Sequence, residues 1–362
     1  MRCRMAAAAA VTHGGVGMNS MRMAGLVLAA LLLAGVAEAQ SDQRYAELGD
    51  FPLESGEVIQ SLKIGYRTFG ELNPAKTNAV LFPTWFTGTT ADLVERVGPG
   101  NLVDSTGQFV ILVDAIGDGV STSPSNSETQ PGMRFPRFTI LDMVRSQHTL
   151  LTRELGIDHL RAVMGVSMGG MQTFQWVVAY PDFMDKAIPI AGSPLLSSYD
   201  RLLWTATIRA IKLDPAWKGG DYESPPVEGL EVVATIVPLA RSTRDAVVKE
   251  TPPGGFAEYL EARDREIIEV FDANNWIRQA EAMMALDVSR AFDGSMERAA
   301  AAVEADVLVV HGLRDHMVAP QPALAFAELL FGPVVRLEGD CGHLAIWCEQ
   351  DEVFPVIARF LE

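Results

Sequence analysis

The sequence predicts an α/β protein with a doubly wound, mostly parallel sheet of eight strands and a helical lid inserted after the sixth strand. Three observations predict this fold class. Short apolar runs rich in β-branched residues alternate with helical patterns along most of the chain, which is typical of a parallel sheet covered on both faces. The alternation stops between about residues 195 and 300. A serine, Ser167, lies between a predicted strand and a predicted helix.

The predicted strands begin with two runs, near 51–59 and at 62–71, and the second run alternates apolar and polar side chains. Such alternation is typical of a half-buried strand, and we expect these first two strands to be antiparallel. The six runs that follow are mostly apolar, as expected for buried parallel strands. They are 78–85, 109–115, 161–167, 186–192, 306–312 and 334–339.

Helical patterns separate most of the predicted strands, for example at 140–155 and 170–180. Residues 195–300 contain no convincing strand, which predicts a lid at this point of the chain. The predicted core domain therefore comes in two parts, 40–194 and 301–362. The helix-like segments of the lid are 199–213, 227–241, 256–273 and 275–291.

Residues 1–39 have the features of a secretory signal peptide. Arg22 precedes an almost wholly apolar run at 24–37, which is too short to span a bilayer comfortably. The tripeptide Ala37-Glu38-Ala39 matches an A-x-A cleavage site. We expect cleavage after Ala39, a periplasmic or secreted protein, and no membrane association after cleavage. The alternative is an uncleaved membrane anchor.

The chain has 362 residues and a formal net charge of −17 at pH 7. A protein this acidic is not expected to bind nucleic acid or anionic lipid, because both carry negative charge. Two cysteines, Cys341 and Cys348, lie outside the predicted signal peptide. In an oxidising compartment they either form a disulfide or stay as two buried thiols. We expect no cofactor and no metal. The alternative to the absence of a metal is a metal site made of His311, Asp315 and His316.

The motif that carries chemistry is G-x-S-x-G, centred on Ser167. The predicted strand 161–167 leads into this serine and a predicted helix follows it, which is the arrangement of a nucleophile elbow. The tight turn needs small residues at Gly165 and Gly169. It presents the hydroxyl at the C-terminal end of the sheet, where open α/β sheets bind ligands. The alternative is a buried serine that only caps the helix.

An acid and a histidine follow Ser167 in the order serine, aspartate, histidine that is typical of α/β-hydrolases. Asp315 lies just past the end of the seventh predicted strand, and His343 lies in a loop after the eighth. We expect His343 to accept the Ser167 proton and Asp315 to orient the imidazole. Asp340 is a poorer candidate for the acid, because it lies on the same loop as His343.

Two backbone N–H groups are needed to stabilise the oxyanion that forms from an ester carbonyl. One is expected from Met168, directly after the nucleophile. The other is expected from the loop after the third predicted strand, where we choose Phe86 and keep Trp85 as the alternative. The side chains of Trp85 and Phe86 are expected to line an acyl pocket.

Several long motifs around these residues resemble the homoserine O-acetyltransferase family of α/β-hydrolases. The likeness covers roughly residues 60–350 and includes GVSMGGMQTFQW around Ser167, RDHMVAP around Asp315, GHLAIW around His343 and the lid motif AIKLDPAWKGGDY at 210–222. The resemblance implies an α/β-hydrolase fold and an acyl-enzyme on Ser167, with Asp315 and His343 completing a triad. It also implies a homodimer formed through the lid.

Two positions depart from the pattern that the resemblance implies for homoserine. Family members carry an arginine for the amino-acid carboxylate where this chain has Ile208, although Arg209 is adjacent. They carry an aspartate for the ammonium directly after the histidine, where this chain has Leu344. Burying both charges of an amino acid against aliphatic side chains would cost several kcal/mol. We therefore expect a changed acceptor site, formed by Ile208, Arg209 and Leu344 together with Trp85.

The expected function is that of an exported serine hydrolase, which cleaves a small-molecule carboxylic ester through an acyl-Ser167 intermediate with water as the acceptor. Export favours water, because acetyl-CoA is a cytoplasmic donor. The alternative is an acyltransferase that moves an acyl group to homoserine or another alcohol. A binding protein on the same fold is the third hypothesis, and the presence of serine, acid and histidine disfavours it.

Overall fold

The computed structural model describes residues 42–362, and this part of the chain folds around one sheet of nine strands. The sheet is mixed and mostly parallel, which confirms the predicted fold class. Its strands are β1 (Arg44–Pro52), β2 (Val58–Phe69), β3 (Ala79–Pro83), β4 (Phe109–Val113), β5 (Leu160–Val166), β6 (Met184–Ile190), β7 (Asp306–Val307), β8 (Val309–Gly312) and β9 (Val334–Leu337).

The strands follow the order β1-β2-β4-β3-β5-β6-β8-β9, with β7 paired to β6. The pairs β1–β2 and β2–β4 are antiparallel, and the other pairs are parallel. Because β3 lies between β4 and β5, the chain changes direction across the sheet at this point. The loop after β3 and the end of β5 therefore meet at the carboxyl edge of the sheet, where ligands bind in such folds.

Two strand predictions need correction. The first strand is β1 rather than 51–59, because residues 53–57 form the turn into β2 with Gly56 at φ 85°. The predicted run 306–312 is interrupted at Leu308, so that the sheet has nine strands instead of eight. The N–H of Leu308 donates to β6, whereas the next N–H along the chain donates to the segment before β9.

Helices cover both faces of the sheet, and the sheet separates the apolar core into two clusters. One cluster packs the side chains of Phe174 and Trp176 together with those of the lid. The other contains Phe82 together with side chains of the C-terminal helix. The helices are α1 (Thr90–Leu93), α2 (Ile140–Thr149), α3 (Met168–Ala179), α4 (Ser198–Leu213), α5 (Val227–Arg241), α6 (Arg244–Glu250), α7 (Phe256–Val270), α8 (Ala273–Met284), α9 (Met296–Ala301), α10 (Pro320–Leu330), α11 (Ala345–Cys348) and α12 (Gln350–Leu361).

The lid consists of α4 to α9 and follows β6, as the sequence predicted. The predicted helices 256–273 and 275–291 correspond to α7 and α8, but both end earlier than predicted. The Asp272 side chain accepts the N–H groups of Asn274 and Asn275. It therefore caps a new helix, and α7 has to end before it.

No helix within residues 42–362 is long and apolar enough to cross a membrane. The predicted signal peptide, residues 1–39, lies outside the described residues. Its cleavage after Ala39 and the periplasmic or secreted location therefore stay predictions.

Candidate active site

Ser167 lies in a sharp turn at the junction of β5 and α3. Its backbone has φ 59° and ψ −119°, and a non-glycine residue held in such a region carries about 1–3 kcal/mol of strain. The Ser167 N–H donates to the Ile190 carbonyl of β6 at 2.8 Å, which holds the turn. A Cβ added to Gly165 would come within 2.5 Å of the Gly169 backbone. The small residues of the motif are therefore required by the close approach of strand and helix.

A continuous chain of hydrogen bonds joins Ser167, His343 and Asp315. His343 Nε2 lies 2.8 Å from Ser167 Oγ, and His343 Nδ1 lies 2.7 Å from Asp315 Oδ2. Asp315 Oδ1 accepts the N–H groups of Met317 at 2.8 Å and Val318 at 3.0 Å, which fixes the orientation of the carboxylate. A hydroxyl in such an arrangement can transfer its proton to the imidazole as it attacks a carbonyl carbon.

Burial and the neighbouring imidazoles act in opposite directions on Asp315. Burial would raise the pKa of this carboxyl, but the charge and hydrogen bond of His343 and the charge of His311 outweigh that effect. The pKa of Asp315 therefore lies below its ordinary value, and the group is ionised at neutral pH. An ionised carboxylate at this position can stabilise a positive charge on the His343 imidazole.

The competing acid Asp340 and the two histidines near Asp315 in sequence do not join this chain of hydrogen bonds. Asp340 is exposed and forms an ion pair with Arg314. His311 is buried, and burial lowers its pKa, whereas His316 is exposed. In the part of the chain that the structure describes, no group of three or more His, Cys, Asp or Glu side chains is placed to hold a metal ion. The alternative of a metal site at His311, Asp315 and His316 is therefore not supported.

Met168 and Phe86, the two predicted oxyanion donors, each present a free backbone N–H. Met168 begins α3, so its N–H has no partner within the helix, and Phe86 follows β3. Within the described residues neither N–H donates a hydrogen bond to another protein group. The Gln279 side-chain oxygen accepts the N–H of Thr87 at 2.8 Å. Since Thr87 has φ 59°, this lid residue maintains a strained backbone directly after Phe86.

Ser167 and His343 open into a cavity of about 280 Å³ that is mostly apolar. The ring of Phe86 packs against those of Trp204 and Trp276 from the lid, with ring centroids 4.7 Å apart in each pair. The lid thus forms one wall of the cavity and the sheet edge forms the other. The lining residues are Trp85, Phe86, Thr87, Arg96, Val166, Ser167, Trp204, Val237, Arg241, Glu266, Ile267, Phe271, Trp276, Met317, His343, Leu344 and Trp347.

Trp85 and Leu344 line the cavity as predicted for the substrate pocket, whereas Ile208 and Arg209 do not. Ile208 is buried in the packing of α4, and Arg209 is exposed to solvent. Successive positions of an α-helix are about 100° apart, so Arg209 points away from the core that Ile208 contacts. The placement of these two residues in the pocket is therefore corrected.

The polar part of the cavity could not be predicted from the sequence. It contains Arg96, Arg241 and Glu266, and the Glu266 carboxylate accepts from Arg241 at 2.8 Å and from Arg263 at 2.7 Å. These residues come from separate segments that share no motif, so only the fold brings them together. Trp347, which also lines the cavity, lies inside the GHLAIW motif, and that motif was a usable signal for it.

Cys341 and Cys348 form a disulfide, with their Cα atoms 6.5 Å apart. The structure thus favours the disulfide over two free thiols. The bridge closes a loop that contains His343, Leu344 and Trp347, all of which line the cavity. One covalently closed loop therefore carries the histidine and part of the cavity wall.

This fold, with its serine at a strand–helix turn, defines the class of the α/β-hydrolases, and the α/β hydrolase fold family matches residues 79–350. An ethyl acetate hydrolase of Pseudomonas veronii is 32% identical over 82% of this chain and 88% of its own length. A homoserine O-acetyltransferase of Geotalea uraniireducens is 31% identical over 91% of this chain and 98% of its own length. The chain belongs to the homoserine O-acetyltransferase-like family of the α/β-hydrolases, and it is an enzyme of the esterase or O-acyltransferase type.

Solved structures agree with this assignment. The structure of the acetyl esterase MekB superposes with a TM-score of 0.84 at 30% identity. The superposition covers 89% of this chain and 97% of that protein. The similarity therefore extends over the core and the lid together.

Proposed function

We propose that the protein is a serine hydrolase that cleaves a small carboxylic ester through an acyl-enzyme on Ser167. The observation that carries this proposal is the hydrogen-bonded chain of Ser167, His343 and Asp315, which opens into a mostly apolar cavity. Relatives named as an ethyl acetate hydrolase and a homoserine O-acetyltransferase support a reaction that transfers an acyl group.

In the first half-reaction, Ser167 Oγ attacks the ester carbonyl carbon while His343 Nε2 takes the hydroxyl proton. Asp315 stabilises the imidazolium, and the N–H groups of Met168 and Phe86 donate to the oxyanion. His343 then gives its proton to the departing alkoxide, and the acyl group stays on Ser167. In the second half-reaction, water attacks the acyl-enzyme, and the proton that His343 takes from it returns to Ser167.

Water is the proposed acceptor because the cavity offers no partner for the ammonium of an amino acid. Among the described lining residues Glu266 is the one carboxylate, and its two oxygens already bind Arg241 and Arg263. Leu344, directly after His343, contributes only apolar surface. An amino-acid acceptor would leave its ammonium buried and unpaired, at a cost of several kcal/mol.

A second candidate function is transfer of the acyl group to an alcohol. The 31% identity to a homoserine O-acetyltransferase over almost the whole chain favours it. The mostly apolar cavity would suit an uncharged alcohol better than homoserine, because such an alcohol needs no ion pair.

We also propose that the enzyme works outside the cytoplasm and forms a homodimer through the lid. The leader-like residues 1–39 support export, and so does the Cys341–Cys348 disulfide, since disulfides persist in oxidising compartments. Apolar side chains exposed on the lid, such as Leu213 and Leu239, support the dimer. Cell fractionation tests the proposed export, and size-exclusion chromatography tests the proposed dimer.

Acyl partitioning tests the main proposal. The purified protein is incubated with p-nitrophenyl acetate, with and without L-homoserine, and free acetate and O-acetylhomoserine are quantified. We expect acetate alone, a loss of about 10⁴-fold or more in kcat for Ser167→Ala, and full activity for Ser198→Ala, which alters an exposed serine of α4.

Each other result has a distinct meaning. O-acetylhomoserine as the main product would establish the transferase instead. Nitrophenol release that persists in Ser167→Ala would overturn the assignment of the nucleophile. No release by the native protein would favour the binding protein.

A further inference from the structure

The cavity contains a cation that the proposed reaction does not use. Arg96 ends the short 3-10 turn Val94–Arg96 that follows α1, and it lines the cavity. Its guanidinium carbon is 4.3 Å from the centroid of the Trp347 ring. Trp347 in turn packs edge-on against Trp85, with ring centroids 6.3 Å apart. Stacking on a packed indole holds the guanidinium plane in place at the cavity wall.

Within residues 42–362, no carboxylate pairs with the Arg96 guanidinium. Neither an ion pair nor a side-chain hydrogen bond joins its guanidinium to another described residue, and its Nε is buried without an acceptor. Glu266 is not available to it, because both of its oxygens already bind arginines. A buried donor without a partner is unfavourable, so the guanidinium is poised for an acceptor from a ligand.

The charge of the cavity contrasts with that of the whole protein. The lining contains Arg96 and Arg241 against the single carboxylate of Glu266, whereas the chain carries a formal net charge of −17. A protein with this overall charge repels anions at long range. An excess cation fixed inside its catalytic cavity therefore indicates a specific site for an anionic group of the substrate.

We propose that Arg96 binds a carboxylate of the substrate, so that the enzyme prefers small esters that carry a free carboxylate in their acyl or alcohol part. This inference rests on the proposed function, since it concerns the substrate of the Ser167 reaction. A guanidinium offers two parallel N–H donors to a carboxylate, which a lysine ammonium does not. The carboxylate would lie at the Arg96–Trp347 wall while the ester group reaches Ser167.

Two matched pairs of esters test the inference. Monomethyl succinate against dimethyl succinate varies a carboxylate in the acyl part, and 3-acetoxypropionate against its methyl ester varies one in the alcohol part. The ratio of kcat/KM for the charged ester to that for the neutral ester is measured at low ionic strength. We expect a ratio above one for one pair in the native enzyme, and a fall of about 10- to 100-fold in that ratio for Arg96→Gln.

Two further variants serve as comparisons. Arg96→Lys keeps the charge and loses the planar fork, so its ratio should lie between those of the native enzyme and Arg96→Gln. Arg201→Gln, which removes an exposed arginine of α4, should leave the ratio at the native value. Inhibition of p-nitrophenyl acetate hydrolysis by free succinate gives a second readout, and the inhibition constant should rise with the same order of variants.

Equal ratios in the native enzyme and Arg96→Gln would overturn the inference. A ratio that falls in Arg209→Gln instead would also overturn it, because the anion would then bind at the lid surface. Ser167-dependent cleavage of neutral esters, without faster cleavage of the charged esters, would refute the Arg96 inference alone. Failure to cleave any ester would refute the proposed function itself.

Discussion

Replacement of Gln279 by leucine tests whether the lid positions the loop that carries the Phe86 N–H. Gln279 is fully buried on α8, its Oε1 accepts the Thr87 N–H at 2.8 Å, and its Nε2 donates to the Ile116 carbonyl at 3.2 Å. Leucine has a similar volume but makes neither hydrogen bond. The buried Ile116 carbonyl then loses its partner at about 1–3 kcal/mol, and the half-buried Thr87 N–H loses its partner at a smaller cost. The free energy of unfolding should therefore fall by about 1–4 kcal/mol.

The same substitution should reduce activity. Thr87 is held at φ 59°, and a non-glycine residue there relaxes when its restraint is removed. Relaxation would move the adjacent Phe86 N–H away from the oxyanion. Because losing one oxyanion donor outright costs about 10²- to 10³-fold in kcat, a displaced donor should cost about 10- to 100-fold, with a smaller effect on KM.

Kinetics with p-nitrophenyl acetate and thermal unfolding by circular dichroism measure the two effects separately. Gln175→Leu, which alters a buried glutamine of α3 outside the cavity lining, controls for the loss of an amide. Glycine adopts positive φ without strain, so Gln279→Leu should cost less kcat in a Thr87→Gly background. A lower Tm with unchanged kcat would refute the positioning role, and an equal loss of kcat in both backgrounds would refute strain as its cause.

Two other predictions concern Asp118 and the disulfide. Burial, and then repulsion by Asp114, raises the pKa of Asp118 well above its ordinary value, so the folded state retains a proton that the unfolded state releases above about pH 4. The free energy of unfolding therefore falls as the pH rises above about 4. Asp118→Asn should raise the Tm at pH 7 but hardly at pH 4, and a lower Tm at pH 7 would contradict this. Reduction of the Cys341–Cys348 bond should lower kcat, because the bridge restrains the loop of His343; equal ester hydrolysis before and after treatment with a phosphine reductant would contradict it.

The candidate catalytic residues could be predicted from the sequence because each lies at or shortly after the end of a strand. Ser167 follows β5, Asp315 follows β8 and His343 follows β9, and the carboxyl ends of parallel strands meet at one edge of a sheet. Strand order alone therefore brings the three side chains to the same region. The first strand was misplaced because β1 is an edge strand with mostly exposed side chains, and only Ala46 and Phe51 in it are buried.

The other residues that line the cavity could not all be predicted, because their positions depend on how the lid folds over the sheet. Trp204 and Trp276 lie on different lid helices, and their rings pack against that of Phe86 and against each other. Arg209 was expected in the pocket because it is adjacent to Ile208 in sequence, but helical geometry places adjacent side chains in different directions. Contacts between distant segments are absent from any local pattern, and Arg96 is a further example of this.

The structure separates the cavity into two sides that different elements hold. The lid holds the oxyanion side, through the contact of Gln279 with Thr87. The loop closed by the disulfide holds the other side, since it carries both His343 and Trp347, on which Arg96 stacks. Loosening that loop should therefore reduce kcat and the preference for a carboxylate together. Loss of the Gln279 hydrogen bonds should reduce kcat for charged and neutral esters alike, because the oxyanion is the same in both.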